Sequence, residues 1–333
     1  MSSQDIELSI VVPVFGAGST LPELVERILV ATEVMQKRFE LILVDDSGHS
    51  SAWEVISGLV SRHPGIVTGV QLMRNYGQHN ALMCGFRHAQ GQIIITLDDD
   101  LQNTPEDIPQ LLSTMEAQGC DVVYAIPALR QDSLWRRMGS APIQWFIQSA
   151  IGLPGPVSAF RAIRKQIVDA ILRYDLNYTF IDGLLSWATD RFGYIEVNHQ
   201  PRIIGRSGYS LWKLIFHAVN IVTNFSLLPL QLASVTGLIA SFCGVLFGVY
   251  FLLQSLLNNN RVPGYASIVV AVMTLGGLQL LAIGIIGEYI GRLHLNVNRK
   301  PQYTVRQVLR AGNAPEMGHC GPNVSNPERP PPP

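Results

Sequence analysis

The chain has 333 residues, enough for one catalytic domain and a smaller second part. Lys and Arg number 24 against 25 Asp and Glu, and a formal net charge of -1 offers no overall attraction for nucleic acid. The four cysteines lie far apart without a C-x-x-C pair, so neither a zinc cluster nor a disulfide framework is indicated. We therefore expect no nucleic-acid partner and a reducing compartment.

The first hundred residues alternate between short apolar runs and helical patterns. Apolar runs of this kind are typical of buried parallel strands joined by crossover helices. We therefore predict a Rossmann-like α/β domain. Its predicted strands are Leu8–Val14, Leu41–Val44, Val67–Met73 and Ile93–Leu97, and its predicted helices are Leu21–Met35 and Gln78–His88.

Acidic residues follow two of the predicted strands. Asp45 and Asp46 come after the second strand, and Asp98, Asp99 and Asp100 come after the fourth. Ligands of open α/β sheets bind beyond the carboxyl ends of the strands. Asp45 and Asp46 could accept hydrogen bonds from a ribose or a base, although a simple turn would also use Asp.

The three consecutive aspartates are the strongest chemical signal. Clustered carboxylates repel one another unless a cation or donor array neutralises them. Asp98 and Asp100 could hold Mg²⁺ or Mn²⁺ that bridges a diphosphate. The alternative is that these aspartates cap a helix beginning near Pro105.

The C-terminal part has the composition of a membrane anchor. No Asp, Glu, Lys or Arg occurs between Lys213 and Arg261, and Val262–Gly287 is also uncharged. Each uncharged stretch exceeds the ~20 residues that a helix needs to span hydrocarbon. Basic residues follow the second stretch, so the positive-inside rule predicts a hairpin with both ends in the cytoplasm.

Two flanking segments complete the anchor. Tyr209–Phe225 mixes apolar residues with Lys213 and His217, which suits a helix lying in the membrane interface; a buried core helix is the alternative. Met1–Leu8 lacks the features of a signal peptide, and the tail beyond Gly312 is rich in Pro, Gly and Asn and is predicted to be disordered.

Four motifs occur in the order and spacing of the family 2 glycosyltransferases, and the chain resembles their polyprenyl-phosphate branch, which includes dolichol-phosphate mannose synthase. Within that branch it is most similar to the undecaprenyl-phosphate 4-deoxy-4-formamido-L-arabinose transferases of lipid A modification. The resemblance covers roughly residues 8–310. The four motifs are Val12-Pro13-Val14, Val44-Asp45-Asp46, Arg74-Asn75-Tyr76-Gly77-Gln78-His79 and Asp98-Asp99-Asp100-Leu101-Gln102-Asn103. The later segment Gly287-Glu288-Tyr289-Ile290-Gly291-Arg292 also matches the arabinose transferases.

The resemblance implies site residues in four groups. The nucleotide-sugar pocket would use Pro13, Asp45, Asp46, Arg74, Gly77 and Asp98. The metal and diphosphate would be held by Asp98, Asp100 and Gln102. Catalysis would depend on Asp98 and Asp100 and on a basic segment containing Arg130, Arg136, Arg137 and Ser140; solvated surface arginines are the alternative for the arginines. Acceptor-phosphate contact and loop closure would involve Arg202, Gly205, Ser207, Tyr209 and Lys213.

The resemblance also implies the architecture. We expect a GT-A (Rossmann-like) nucleotide-sugar-binding domain, an interfacial helix and a two-helix transmembrane hairpin. The expected boundaries are a cytoplasmic GT-A domain at 1–208, the interfacial helix at 209–226, transmembrane helices at 227–257 and 262–287, and a basic segment with a disordered Pro-rich tail at 288–333.

Four positions depart from the family pattern. Asp45-Asp46-Ser47-Gly48 stands where the family has Asp-Asp-Gly-Ser, and Asp98-Asp99-Asp100 stands where it has Asp-Ala-Asp. Gly208 replaces a basic residue that would meet the acceptor phosphate. Residues 155–161 replace a segment that carries an acidic residue near the sugar in relatives, so the sugar itself could differ.

The predicted function is inverting, metal-dependent transfer of a sugar from a nucleotide sugar, with UDP favoured, to polyprenyl (undecaprenyl) phosphate. The reaction would take place at the cytoplasmic face of the inner (plasma) membrane and feed cell-envelope glycan or lipid A modification. Which sugar is transferred and whether the chain forms a homo-oligomer are left open. A membrane nucleotide-binding or scaffold protein and a processive polysaccharide synthase are the alternatives.

Overall fold

The computed structural model describes residues 6–16, 18–47, 51–127, 155–174, 179–197, 228–258, 264–298, 301–310 and 316–317. Its strands are β1 (Leu8–Val14), β2 (Phe39–Asp45), β3 (Val67–Leu72), β4 (Ile93–Thr96), β5 (Val122–Pro127), β6 (Arg161–Arg164), β7 (Phe192–Val197), β8 (Val305–Arg310) and β9 (Glu316–Met317). Its helices are α1 (Leu21–Met35), α2 (Ala52–Arg62), α3 (Gln78–His88), α4 (Ile108–Gln118), α5 (Lys165–Ile171), α6 (Ile181–Ala188), α7 (Leu228–Asn258) and α8 (Tyr265–Val297), and a 3₁₀ turn covers Pro105–Asp107.

Within the described residues, nine strands form one mixed sheet in the order β7-β5-β6-β4-β1-β2-β3-β8-β9. The central strands β4, β1, β2 and β3 are parallel neighbours. The strand predicted at Leu8–Val14 and the helices predicted at Leu21–Met35 and Gln78–His88 are confirmed residue for residue. The predicted α/β fold class is confirmed as well.

The central strands are covered on both faces, which explains their continuous apolar sequence. Every residue of β1 is buried. Helix α1 buries Leu21, Leu24, Val25 and Ile28, whose spacing places them on one face of the helix. Helix α3 approaches β1 so closely that a Cβ at Gly85 would overlap Val11 Cγ1. This close packing fixes the N-terminus of α3 near the carboxyl ends of β1 and β2.

The two long helices form a second compact unit. Helices α7 and α8 contact each other. By length and composition each is able to cross a membrane, with apolar windows at Leu230–Tyr250 (mean hydropathy 2.0) and Thr274–His294 (mean hydropathy 1.3). Their large apolar side chains are exposed, as expected for surfaces that face lipid rather than a protein core.

The chain after α8 returns to the sheet, which the sequence did not predict. Strand β8 pairs antiparallel with β3, with Leu309 opposite Gly69 and Gln307 opposite Gln71. Strand β9 then pairs with β8. The sheet is therefore completed by residues that follow both long helices.

Candidate active site

The carboxyl ends of β4, β1 and β2 are adjacent, and hydrogen bonds connect the segments that follow them. The Asp46 backbone N–H donates to the Val14 carbonyl at 3.0 Å. The Phe15 backbone N–H donates to Asp99 Oδ2 at 3.1 Å, and Thr20 Oγ1 donates to the Asp99 carbonyl at 2.5 Å. The acidic residues predicted after β2 and β4 therefore lie along one edge of the sheet.

The three consecutive aspartates have different partners. Asp99 binds the backbone after β1, whereas Asp98 Oδ1 accepts a hydrogen bond from Gln78 Nε2 at 2.5 Å and Asp100 Oδ1 accepts one from the Gln102 backbone N–H at 3.2 Å. All three side chains are half-buried. The middle aspartate thus connects strands, while the flanking pair faces groups from α3 and from the turn that follows.

The turn after Asp100 is strained. Leu101 is buried and has a φ of 58°, in the left-handed region that non-glycine residues rarely adopt. Such a conformation costs about 1–3 kcal/mol and is concentrated at functional sites. The helix-capping alternative for the aspartates is wrong, because Thr104 occupies the N-cap position of the Pro105–Asp107 turn.

The donor set of this segment fits a hard divalent cation that is shared with a phosphate ligand. Among the residues that the structure describes, no three His, Cys, Asp or Glu side chains form a metal cluster. Mg²⁺, however, is usually held by one or two carboxylates with phosphate oxygens and water completing its shell. Asp98 and Asp100 provide two such carboxylates, and Gln102 is the next polar residue along the chain.

Asp45 and Asp46 are buried at the end of β2 and accept hydrogen bonds from protein donors. Asp45 Oδ1 accepts from the Ser47 backbone N–H at 3.0 Å and from the Ser47 hydroxyl. Asp46 accepts from the backbone N–H groups of Tyr76 and Gly77 at 2.7 and 2.8 Å. Both carboxylates therefore hold the turns that border the predicted nucleotide pocket, and their direct contact with a nucleotide stays a prediction.

The loop between β3 and α3 is shaped by these contacts. Gly77 has a φ of 90°, so a side chain at this position would be strained. The Arg74 guanidinium carbon lies 4.8 Å from the centre of the Tyr76 ring, a cation–π arrangement. Pro13 is buried in β1, opposite Val44. The predicted residues Pro13, Arg74 and Gly77 thus belong to the same edge of the sheet as Asp46.

Asp46 should make the stability of the fold depend on pH. Burial raises its pKa to about 6, although the Tyr76 and Gly77 N–H groups act to lower it. An unfolded Asp has a pKa of about 3.9, so between about pH 4 and 6 the folded chain holds a proton that the unfolded chain has lost. The contribution of Asp46 to the free energy of unfolding therefore falls as the pH rises through that window.

We expect the melting temperature of the wild type minus that of Asp46→Asn to fall from about pH 4 to about pH 6 and to be constant above about pH 7. Scanning calorimetry of both proteins in detergent at matched ionic strength measures this difference. A difference that stays constant across the whole range would show that Asp46 does not titrate as described.

A buried charged network lies beside the site, and the sequence did not predict it. Arg161 is 2% exposed and pairs through Nη1 with Asp182 Oδ1, which also accepts the Tyr124 hydroxyl at 2.8 Å. Arg161 Nε donates to Thr96 Oγ1 at 3.2 Å. Because Thr96 is the last residue of β4, this network supports the strand end that carries Asp98.

Two further residues near the site also went unpredicted. His79 Nδ1 accepts the Ile181 backbone N–H at 3.4 Å, and its ring contacts Phe180 edge to face, which joins α3 to α6. Phe15 follows β1 and is 67% exposed, an uncommon position for a large aromatic side chain. The sequence shows that an aromatic residue, Phe15, follows the predicted strand, but it does not show that the side chain is exposed.

Nine predicted site residues, Gly205 among them, lie outside the described residues. They form the predicted basic segment and the predicted acceptor loop, and they stay predictions. These residues are Arg130, Arg136, Arg137, Ser140, Arg202, Gly205, Ser207, Tyr209 and Lys213.

An α/β sheet with carboxylates beyond adjacent parallel strands is typical of ligand-binding α/β proteins, and sequence comparison identifies the family. The profile of "Glycosyl transferase family 2" matches residues 9–172. The chain is 36% identical to the undecaprenyl-phosphate 4-deoxy-4-formamido-L-arabinose transferase of Aeromonas hydrophila, over 95% of this chain and 98% of the relative. It is 37% identical to the enzyme of that name from Shewanella sediminis, over 92% of this chain and 94% of the relative.

The similarity to solved structures is lower than the similarity to these sequence relatives. Glucosyl-3-phosphoglycerate synthase from Mycobacterium tuberculosis in complex with UDP is 16% identical, with a TM-score of 0.47 over 67% of this chain and 80% of that chain. S. aureus TarS 1-349 is 15% identical, with a TM-score of 0.41 over 57% of this chain and 58% of that chain. The sequence matches alone are sufficient: the chain belongs to glycosyl transferase family 2 and is a glycosyltransferase.

Proposed function

We propose that the chain transfers a sugar from a nucleotide diphosphate donor to undecaprenyl phosphate. The observation that carries this proposal is similarity over 95% of the chain to an undecaprenyl-phosphate sugar transferase. Strand-end carboxylates support it, because they lie where α/β sheets bind nucleotides. UDP is the favoured nucleotide, and the formamido-arabinose of the relatives is the first sugar to test.

A divalent cation, Mg²⁺ or Mn²⁺, would be held by Asp98, Asp100 and Gln102. The bound cation would supply electrostatic stabilisation of the departing nucleotide diphosphate. Asp99 keeps the strand ends together, through its contact with Phe15, while the carboxylates on either side serve the ligand. Asp45, Asp46, Pro13, Arg74 and Gly77 would border the nucleotide pocket.

The acceptor phosphate would act as the nucleophile. It is anionic at neutral pH, so attack on the anomeric carbon needs no strong general base, and in-line displacement inverts that carbon. Two like unit charges ~4 Å apart cost about 1 kcal/mol in water and about 4 kcal/mol at an effective dielectric of 20. Cationic side chains must offset this repulsion, and the candidates are Arg130, Arg136, Arg137, Arg202 and Lys213. Ser140 belongs to the basic segment that would meet the phosphates, and Ser207 and Tyr209 belong to the loop that would close the site.

The two long helices would anchor the enzyme in the inner membrane as a hairpin, with 1–208 in the cytoplasm. Strand pairing supports an even number of crossings, because β8 follows α8 and pairs with β3, which precedes α7. Residues on either side of the hairpin therefore belong to one sheet and must share a compartment. Anchoring keeps the catalytic domain beside its lipid acceptor and raises the effective concentration of that acceptor.

We expect a cysteine at Asn259, between the two helices, to react with an impermeant thiol reagent in intact cells. In separate variants, cysteines at the exposed positions Glu54 in α2 and Arg310 in β8 should react only after the membrane is opened. The native cysteines are first replaced, because Cys243 in α7 is exposed. Labelling of Glu54→Cys in intact cells would contradict a cytoplasmic donor site.

The proposal itself is tested in membrane vesicles that contain the protein. Radiolabelled UDP-, GDP- and dTDP-sugars are added with or without undecaprenyl phosphate, and label extracted into organic solvent is counted. We expect lipid-soluble label from a UDP-sugar. Its formation should require undecaprenyl phosphate and should fail with undecaprenol, which has a hydroxyl group but lacks the anionic phosphate that acts as the proposed nucleophile. Label that does not depend on the lipid phosphate would contradict the proposed acceptor.

A further inference from the structure

The strand that follows both long helices reaches the end of β3 that borders the site. Seven residues separate the end of α8 at Val297 from the start of β8 at Val305. The Met73 backbone N–H donates to the Thr304 carbonyl at 2.9 Å. The register between β3 and β8 shifts between Gln71 and Leu72, a bulge at the site end of the strand pair. Bulges of this kind commonly re-aim side chains next to active sites.

Two glutamines connect this strand to the end of β2. Gln307 Nε2 donates to Gln71 Oε1 at 2.9 Å, and Gln71 Nε2 donates to Asp45 Oδ2 at 3.3 Å. Gln71 and Asp45 are both buried. An ionised carboxylate only accepts hydrogen bonds, so Gln71 must turn its NH₂ towards Asp45 and its carbonyl towards Gln307. The direction of all the hydrogen bonds is therefore set.

We propose that Gln307 is a positioning residue of the donor pocket, which acts through Gln71 on Asp45 and the Ser47 turn that Asp45 holds. The proposal rests on the proposed function, in which this turn borders the nucleotide. Gln307 donates to the Gln71 carbonyl and so holds the far end of an amide whose NH₂ faces Asp45. Without this donor the buried Gln71 carbonyl has lost a partner, the Gln71 side chain moves, its hydrogen bond to Asp45 lengthens, and the turn at Ser47 loosens.

The test uses the full chain purified in detergent, with UDP binding measured by calorimetry and donor KM and kcat measured separately. We expect Gln307→Leu to weaken UDP binding about fivefold, the usual net effect of one hydrogen bond, and to raise donor KM with kcat nearly unchanged. Gln307→Glu should weaken binding at least about tenfold, because the Gln71 NH₂ turns to the new carboxylate and leaves its carbonyl facing Asp45. Arg310→Gln, at the far end of β8, is the matched control and should bind UDP like the wild type.

A double-variant cycle separates this role from general support of the strand. If the two glutamines act as one relay, Gln71→Leu with Gln307→Leu binds UDP no more weakly than Gln71→Leu alone. Wild-type affinity in Gln307→Leu, or losses that simply multiply in the double variant, would overturn the proposal. A wild-type protein that neither binds a nucleotide diphosphate nor transfers sugar would instead contradict the proposed function.

Discussion

Replacing Asp98 or Asp100 by Asn is expected to lower the transfer rate about a hundred- to a thousandfold, while the protein still folds and enters the membrane. Removing one preorganised electrostatic contact to a developing charge typically has this effect. Each Asn keeps the side-chain oxygen that accepts from Gln78 Nε2 or from the Gln102 backbone N–H, so the local hydrogen bonds can persist. Transfer of label to undecaprenyl phosphate measures the rate, and the melting temperature measures folding.

The matched control is Asp107→Asn. Asp107 lies a few residues further along the chain, and its carboxylate accepts a hydrogen bond from the Thr104 hydroxyl rather than facing the proposed metal. We expect this control to keep its activity. Excess chelator should stop the wild-type reaction, and added Mg²⁺ or Mn²⁺ should restore it. Full activity of both Asp98→Asn and Asp100→Asn, or undiminished turnover in chelator, would show that these carboxylates do not hold a catalytic metal.

Replacing Arg161 by Met is expected to lower the free energy of unfolding of the catalytic unit by about 3–5 kcal/mol. The change leaves Asp182 as a buried carboxylate without its cationic partner, and breaking a buried ion pair on one side costs about this much. Denaturant unfolding followed by tryptophan fluorescence in detergent measures the loss. The second change Asp182→Leu should recover most of it, because the uncompensated charge is then gone.

An exposed ion pair provides the control for Arg161. Arg27 binds Glu106 at 2.7 Å, with the Glu106 side chain 51% exposed. Arg27→Met should cost less than about 1 kcal/mol, since exposed pairs contribute little. Equal losses for Arg27→Met and Arg161→Met would mean that burial does not determine the contribution of the Arg161 pair.

The elements predicted well from the sequence are those whose signals are local. Leu21–Met35 and Gln78–His88 carry helical spacing along their whole length, and Leu8–Val14 is a continuous apolar run, so their bounds are confirmed. Strand β4 ends at Thr96 rather than Leu97, and β2 extends from Phe39 to Asp45, which are the usual small errors at strand ends.

What the sequence missed depends on long-range contacts. Strand β8 pairs with a strand that precedes both long helices, and nothing within Val305–Arg310 specifies that partner. The motif predicted that Asp45 and Asp46 lie at the site. Their hydrogen-bond partners Ser47, Tyr76 and Gly77 depend on how the loops fold. The pairing of Arg161 with Asp182 is likewise invisible, because either residue alone resembles a surface charge.

The alternative of a scaffold that has lost its chemistry makes different predictions. Such a protein would tolerate Asp98→Asn and Asp100→Asn without any change in function, and it would bind nucleotide without turnover. A processive synthase would build a growing chain rather than add one sugar to each lipid. Identification of the product separates these possibilities from the proposed transfer.

The most direct measurement is mass spectrometry of the lipid product and chromatography of the released nucleotide, after the purified protein reacts with a UDP-sugar and undecaprenyl phosphate. The proposed reaction breaks the bond between the sugar and UDP and forms one between the anomeric carbon and the lipid phosphate. We predict a lipid with one sugar and one phosphorus, together with one UDP for each lipid formed. A lipid with two phosphorus atoms and released UMP, or UDP release with no glycosylated lipid, would contradict the account.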